Sequence, residues 1–182
     1  MRGFLAAAVL ALMALPVLSF ASELDGNYQI VLSGADGGEL ALGRLNIEDN
    51  QIAINLVDEP FSNHFLSMRP FRCMDLERQM WCHLPYPYEK SATISADDLR
   101  TLEYEFLFIH RSATDYGIDA WNGLYFLMSE SEGELTGAVR EVDLNILASP
   151  PENGVVWPIT TDDLHESESD RHQFNQIRFV RQ

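Results

Sequence analysis

Two carboxylates in the middle of the chain have the residue types and spacing closest to acid–base chemistry. Glu103 and Glu105 are separated by one residue, and side chains at that spacing project from the same face of an extended strand. Such a pair can divide the roles of acid and base, and His64 or His110 could carry the proton onward. Acids at this spacing also commonly face water. Because the motifs Gly-x-Ser-x-Gly and His-Glu-x-x-His are absent, the sequence favours a protein without catalytic activity.

A short acidic run late in the chain is the second place with ligand chemistry. His165, Glu166, Glu168, Asp170 and His172 could gather around a cation through imidazole and carboxylate groups. A metal site needs ligands held by rigid elements, which an acidic loop rarely provides. The sequence therefore predicts a solvated loop here, with no bound metal and no cofactor.

The two cysteines of the chain do not have the Cys-x-x-Cys spacing of redox proteins. They lie symmetrically in a predicted hairpin that turns over residues 76–79, so that Cys73 faces Cys82 and Met74 faces Trp81. Cross-strand neighbours of this kind are close enough to form a disulfide. Because side chains alternate along a strand, we expect Trp81 on the inner face and the disulfide on the other. Two buried free thiols are the alternative.

The N-terminal residues predict export. Met1-Arg2 gives a positive start, residues 4–18 are almost entirely apolar, and Ser19-Phe20-Ala21 has small residues where a signal peptidase cuts. We predict a signal peptide over residues 1–21, a single domain over residues 22–182 and a secreted protein, in a bacterial periplasm. An uncleaved membrane anchor is the alternative, although the apolar run is short for a membrane span.

The charge of the chain narrows the class of partner. Twelve Lys and Arg stand against 28 Asp and Glu, which gives a net charge of −16. A surface of this sign repels nucleic-acid phosphates and anionic lipid. The sequence therefore predicts no nucleic-acid partner and no stable membrane span after signal cleavage, while a basic protein partner stays possible.

Alternating apolar residues predict strands along most of the chain. Tyr28, Ile30 and Leu32 mark the first of them. Changes of parity predict bulges at Gly43-Arg44 and near Arg140-Glu141. Further strands are predicted over 40–47, 52–56, 73–76, 79–82, 102–110, 123–128, 135–146 and 174–181, with an irregular stretch over 60–70 and short helical turns at 95–98 and 161–163.

About eight or nine short strands joined by turns predict an all-β fold. Antiparallel meanders of this kind close into a barrel or pack as two sheets. We expect a barrel with one or two short helices, and a β-sandwich is the alternative.

Three motifs resemble those of the lipocalins. Gly26-Asn27-Tyr28 is similar to the Gly-x-Trp that opens the lipocalin barrel, with Tyr in place of Trp, and Thr114-Asp115-Tyr116 matches the Thr-Asp-Tyr loop motif. Lipocalins also place a late arginine over the first aromatic ring, and Arg140 is the candidate for that position. The resemblance implies a barrel end closed by Tyr28, Thr114, Asp115, Tyr116 and Arg140.

A lipocalin-like barrel has inward faces that can line a cavity for small apolar molecules. Large, soft or aromatic side chains on the predicted strands are the candidate ligand-binding residues, and a filled core is the alternative for each: Met68, Met74, Trp81, Phe106, Phe108 and Met128. The sequence thus predicts a secreted, non-enzymatic protein that binds a small apolar ligand. An acidic cell-envelope module that binds a basic protein is the alternative function.

Overall fold

The computed structural model describes residues 24–112, 114–168 and 170–182, and the predicted signal peptide over residues 1–21 lies outside the described residues. The strands are β1 Gly26–Ser33, β2 Glu39–Glu48, β3 Gln51–Leu56, β4 Phe61–Leu66, β5 Arg69–Asp75, β6 Gln79–His83, β7 Phe108–Ser112, β8 Gly123–Ser131, β9 Glu134–Val142, β10 His165–Glu166 and β11 Gln176–Arg181. One short α-helix, α1, spans Arg100–Glu103, and 3-10 turns span Leu144–Leu147 and Thr161–Asp163. None of the helices in the described ranges is long and apolar enough to cross a membrane.

All described strands belong to one antiparallel sheet that curls into a half-barrel. The strand order is β3-β2-β1-β11-β9-β8-β7-β6-β5-β4, and the short β10 pairs with β9. The all-β antiparallel prediction is confirmed, and the fold is one curled sheet rather than a sandwich of two. Strands β3 and β4 form the two ends of the sheet, although only residues 57–60 separate them in sequence.

Tight turns set the register of three hairpins. The residue pairs Asp49-Asn50, Ser67-Met68 and Glu132-Gly133 have positive φ angles and join consecutive strands. Two-residue turns of this kind match the right-handed twist of a strand pair. The prediction of an irregular stretch over residues 60–70 is wrong, because these residues form β4 and the start of β5. Pro70 is tolerated there since it lies beyond the last β5–β6 pair, Arg72 with His83.

The curled sheet buries apolar side chains on both faces. The inner cluster contains Tyr28, Ile30 and Leu32 of β1, which confirms the first predicted strand. A second cluster covers the outer face of β7 and β8. It is built around Tyr104 and Tyr125, and residues that follow β9, such as Leu144 and Ile159, complete it. A chain segment that lies between the two clusters is therefore buried all round.

This double burial explains the wrong strand prediction over residues 102–110. The segment forms α1, a turn and only then β7. Leu102 and Phe106 pack in the inner cluster, while Tyr104 and Leu107 pack in the outer one. The predicted alternation put Leu102, Tyr104 and Phe106 on one face and is wrong there, because a helical turn and an irregular segment place Tyr104 in the other cluster. A segment without an exposed face gives no reliable period.

One predicted bulge is confirmed and the other is wrong. In the β1–β2 pair, Ile30 faces Gly43 and Val31 faces Ala41, so Leu42 is the extra residue, next to the predicted position. Strand β9 instead keeps one register with β8 along its whole length, up to Val142. The change of parity arises because both faces of β9 are covered: Val139 packs in the inner cluster, whereas Val142, still in the strand, packs in the outer one.

The cysteine hairpin has the predicted register. Cys73 faces Cys82 across β5 and β6, Met74 faces Trp81, and the two cysteines form a disulfide with an S–S bond of 2.08 Å. Met74 and Trp81 are fully buried in the inner cluster. Trp81 therefore points inward, as predicted, with the disulfide on the opposite face.

Replacing both cysteines by alanine should lower the free energy of unfolding by about 2–3 kcal/mol, because the unfolded chain gains freedom. The fold should persist, since the inner cluster does not depend on the bridge. Urea denaturation followed by tryptophan fluorescence measures the change, and the wild type in a reducing buffer is the matched control. A double variant as stable as the oxidised wild type would contradict this role for the disulfide.

Candidate functional site

The six predicted ligand-binding residues do not line a common cavity. Five of them are buried in the inner cluster: Met74, Trp81, Phe106, Phe108 and Met128. Met68 instead lies in the β4–β5 turn and is 87% exposed. Trp81 has ring contacts with Phe108 at 6.0 Å and with Phe174 at 6.2 Å between centroids. The centre of the half-barrel is therefore filled by the side chains that the sequence analysis assigned to a ligand.

The aromatic ring of the first lipocalin-like motif is covered by a different arginine from the one predicted. Arg181 lies directly opposite Tyr28 in the β1–β11 pair, with its guanidinium 5.1 Å from the ring centroid. It also donates a hydrogen bond of 2.7 Å to the Tyr28 hydroxyl. Arg140 lies on β9 and donates to the Val139 carbonyl. The assignment of Arg140 to the barrel end is thus wrong, and Arg181 takes that position.

The second lipocalin-like motif forms an ordered loop and does not pack against Tyr28. Asp115 accepts a hydrogen bond from the Ser112 amide, and Arg111 donates to the carbonyls of Asp115 and Gly117. These contacts hold the β7–β8 loop in place while the side chain of Tyr116 is fully exposed. The resemblance to lipocalins through these motifs stays a prediction.

The most exposed large apolar side chains lie on two neighbouring parts of the chain, the β4–β5 hairpin and the β7–β8 loop. Phe65, Met68, Tyr116 and Trp121 are between 71% and 106% exposed, and every other large apolar residue described is exposed by 44% or less. The first two flank the β4–β5 turn and the other two belong to the β7–β8 loop. We call these four residues the end surface.

Hydrogen bonds from one serine join the two parts of the end surface. The Ser67 hydroxyl donates to the Ile118 carbonyl at 3.3 Å and accepts from the Ile118 amide at 3.1 Å. The β7–β8 loop is also tied to the 3-10 turn after β9, because the Leu144 amide donates to the Ala120 carbonyl. The four exposed side chains therefore stand on a fixed backbone.

A groove of about 470 Å³ runs beside the end surface and is mostly apolar. Its walls come from β5, β7 and the two loops, with residues such as Phe71, Leu84 and Ile118. A second groove of about 410 Å³ continues it and shares Arg69, Phe71 and Leu84. Among the described residues that line the two grooves, the full charges are those of Arg69 and Arg72. Because Arg72 also forms an ion pair of 3.4 Å with Asp58, the positive charge of the grooves comes mainly from Arg69, on a strongly acidic chain.

Most of the end surface is not predicted from the sequence. Met68 is predicted in an internal cavity and Tyr116 at the barrel end, and no site is predicted at Phe65 or Trp121. A usable signal was present, since Tyr116 and Trp121 are large aromatic residues in a loop made mostly of small and polar residues. Exposed aromatic residues of this kind are typical of interaction surfaces.

Glu103 is buried, and the prediction that it faces water is wrong. Its carboxylate accepts hydrogen bonds from the Tyr125 hydroxyl and, at 2.9 Å, from the Met128 amide. Burial raises the pKa of Glu103, and these hydrogen bonds oppose the shift. Strand β7 pairs with β8 only at Gly123 and Leu124. Glu103 therefore satisfies a backbone amide of β8 where its neighbouring strand has ended.

Glu103 and Glu105 do not form an acid–base pair. Glu103 borders a cleft of about 420 Å³ that also includes Asp98, Arg100 and Trp157. Glu105 lies outside the helix and forms an ion pair of 2.7 Å with Lys90. No histidine is recorded in hydrogen-bond contact with either carboxylate side chain among the described residues. A catalytic role for these acids together with a histidine has no geometric support.

His64 contacts a serine and an aspartate in an arrangement that differs from a catalytic triad. Its Nε2 atom lies 2.9 Å from the Ser62 hydroxyl and 3.4 Å from the Asp75 carboxylate. In a triad, the acid and the nucleophile contact different ring nitrogens. Here both contact the same nitrogen, so no proton relay passes through the ring.

The acidic run over residues 165–172 contributes one buried side chain. His172 is 3% exposed, and its Nδ1 atom lies 2.9 Å from the Gln79 side-chain oxygen. That oxygen also accepts from the indole of Trp81, while the amide nitrogen of Gln79 donates to the Arg171 carbonyl. Across the described ranges, no group of three or more His, Cys, Asp or Glu side chains could hold a metal ion.

His172 also contacts the carboxylate of Glu141. The second ring nitrogen of His172 lies 3.1 Å from the Glu141 carboxylate, which also forms an ion pair of 3.0 Å with Arg171. Both ring nitrogens of His172 therefore have a polar partner in the interior. Burial lowers the pKa of His172, and the Glu141 carboxylate opposes that shift.

His110 packs on His172 with 4.7 Å between ring centroids. Burial, followed by the charge of His172, lowers the pKa of His110 to about 4. An unfolded histidine has a pKa near 6.5, so the unfolded chain binds the proton first as the pH falls. The stability that neutral His110 contributes is present above pH 6.5 and is lost between about pH 6.5 and pH 4.

Replacing His110 by phenylalanine should reduce the loss of stability between pH 6.5 and pH 4 by about 2–3 kcal/mol, because no proton binds at that position in either state. Urea denaturation at a series of pH values measures the difference from wild type. His165→Gln, on the exposed strand β10, is the matched control and should retain the wild-type pH dependence. Identical pH profiles for His110→Phe and wild type would contradict the burial of a neutral His110.

Replacing Glu103 by alanine should cost about 2–4 kcal/mol, because a buried amide and a buried hydroxyl lose their acceptor. Glu105→Ala is the matched control, and since it removes only a partly exposed ion pair it should cost less than about 1 kcal/mol. Equal losses of unfolding free energy in the two variants, measured by urea denaturation at pH 7, would show that the Met128 amide of β8 does not depend on Glu103 as its acceptor.

Comparison of the chain with protein-family models, with curated proteins and with solved structures finds no match in any of the three. The geometry of the end surface and its grooves is therefore the basis for assigning a function.

Proposed function

We propose that the protein is a non-enzymatic binding module that docks a partner protein on the end surface. The observation that carries this proposal is the concentration of the four most exposed large apolar side chains on two loops joined through Ser67. Aromatic residues, methionine and arginine are enriched at protein interfaces and provide most of their binding energy. The end surface provides aromatic residues and a methionine, and Arg69 lines the groove beside it.

The positive charge of the grooves indicates which charge the partner segment carries. Arg69 and Arg72 are the fully charged residues among those that line the grooves. They favour a partner segment that carries carboxylates beside apolar anchors. The expectation of a basic protein partner rested on the acidity of the whole chain, and the local charge at this surface is the reverse. A second copy of the chain is disfavoured because each copy has a net charge of −16.

A small apolar molecule in the groove is the second candidate function. The groove volume of about 470 Å³ lies within the range of roughly 300–1,000 Å³ that is usual for small-molecule sites. Phe71, Leu84 and Ile109 provide apolar walls. Native mass spectrometry of protein purified from its own source separates the two functions, because a bound small molecule adds a small mass whereas a docked protein adds the mass of a whole polypeptide.

Export to the periplasm or beyond is part of the same proposal. The positive start, the apolar run over residues 4–18 and the small residues before Ser22 support a cleaved signal peptide. The disulfide between Cys73 and Cys82 supports an oxidising compartment. The partner would then be a protein of the cell envelope or of the exterior.

Site-specific photo-crosslinking tests the docking surface. A photoreactive amino acid at Trp121 should capture one protein in the native source, whereas the same group at Val180, on the outer part of β11, should not. The captured protein, once identified and purified, should bind a Tyr116→Ser, Trp121→Ser double variant at least about tenfold more weakly than wild type, because exposed aromatic anchors dominate interface energies.

The matched control for this titration is Val155→Ser, Val156→Ser, which removes exposed apolar groups from a different surface. Both double variants should unfold at the wild-type urea concentration, since all four side chains are largely exposed. Equal affinity of the Tyr116→Ser, Trp121→Ser variant and wild type for the captured protein would overturn the proposed function.

A further inference from the structure

The two ends of the sheet differ in how their outer edges are covered. Strand β3 is shielded by a neighbouring segment: the Ile52 amide donates to the Ala92 carbonyl at 3.0 Å, and the Ile94 amide donates to the Asn50 carbonyl at 2.9 Å. Strand β4 pairs with β5 on one side, and no strand pairs with its other side within the described residues. Within the described residues, the outer edge of β3 is therefore covered at its start, whereas no strand covers the outer edge of β4.

The hairpin register fixes which groups of β4 point outward. Leu66 and Arg69 flank the two-residue turn and form a hydrogen-bonded pair, and such pairs alternate along antiparallel strands. Asn63 and Phe65 are consequently in non-hydrogen-bonded pairs, and their amides and carbonyls point away from β5. The same rule on β3 directs the Ile52 amide outward, where it meets the Ala92 carbonyl.

The open edge lacks the usual protection against strand pairing. Edge strands are commonly blunted by lysine, by other charges, by proline or by a bulge. Strand β4 reads Phe-Ser-Asn-His-Phe-Leu and has no acid, lysine, arginine or proline, in a chain that is 22% charged. Its residue Phe65 is also part of the end surface. An unprotected edge that continues an exposed apolar surface is suited to accept another strand.

We propose that an extended segment of the partner adds to β4 as an additional strand, with apolar side chains toward the end surface and a carboxylate toward Arg69. This inference rests on the proposed docking function and assigns its binding mode. Arg69 is exposed on β5, directly opposite Leu66 at the end of β4. Main-chain hydrogen bonds to Asn63 and Phe65 provide the pairing, and Arg69 selects an acidic segment.

A capped peptide of alternating valine and glutamate is the probe, and the alternating valine–lysine peptide is its control. Binding of the acidic peptide should protect the amides of Asn63 and Phe65 from hydrogen exchange by at least about tenfold, as measured by NMR. The amide of Ile54, which the register directs outward on the covered edge β3, should not gain protection. The lysine peptide should bind at least about tenfold more weakly.

Two variants with matched controls separate strand addition from other binding. Asn63→Pro removes an outward amide without breaking a β4–β5 bond, and it should weaken peptide binding at least about tenfold, while Ile54→Pro on β3 should not. Arg69→Glu should weaken binding of the acidic peptide, while Arg44→Glu on β2 should not. Tryptophan fluorescence of each variant verifies that Trp81 stays buried.

The outcomes distinguish this inference from the proposed function. If the acidic peptide binds and perturbs Tyr116 and Trp121 but leaves the Asn63 and Phe65 amides unprotected, docking stands and strand addition is overturned. If the acidic peptide does not bind, or if both amides are already protected in a dimer of the chain, strand addition by an acidic partner is likewise overturned. Failure of the crosslinking experiment at Trp121 would reject the docking function itself.

Discussion

The structure depends on the hydrogen bonds of one side chain, Gln79, at the rim of the filled interior. Its oxygen accepts from Trp81 and lies against His172, and its nitrogen donates to the Arg171 carbonyl. Gln79 begins β6, whereas residues 170–175 lead into β11 on the opposite side of the half-barrel. A single half-buried side-chain amide therefore ties together two strands that the sheet order keeps four positions apart, and it holds the largest side chain of the interior in place.

The same constraint, that a buried polar group must find a partner, shapes the sheet where strands end. Strand β7 leaves β8 after two residue pairs, and the carboxylate of Glu103 takes over the Met128 amide. Helix α1 thus replaces a stretch of missing strand, and Tyr125 completes the hydrogen bonding of the carboxylate. An acid with a raised pKa beside a cleft resembles a catalytic group, but here both of its oxygens are used to close a sheet.

The sequence predicts those features that depend on neighbouring residues. The register of Cys73 with Cys82 follows from symmetry about a turn, and the first strand follows from alternation of Tyr28, Ile30 and Leu32. Contacts between parts of the chain that are distant in sequence cannot be predicted from such local patterns. Arg181 covers Tyr28 because the last strand pairs with the first, and no local pattern shows that pairing. The end surface depends likewise on the meeting of two loops at Ser67, which lies 51 positions from Ile118.

Because the interior of the half-barrel is filled, the places where this fold can bind a ligand or partner lie on its exterior. The side chains that could have lined a cavity instead pack around Trp81, so in the described part of the chain a ligand or partner reaches the outer grooves and the sheet edges. One edge is covered by residues 92–94 and the other adjoins the exposed Phe65. Leaving a single uncharged edge open exposes a protein to aggregation, and a net charge of −16 opposes that self-association. The overall charge therefore keeps copies of the chain apart, while Arg69 beside the open edge favours a partner of the opposite local charge.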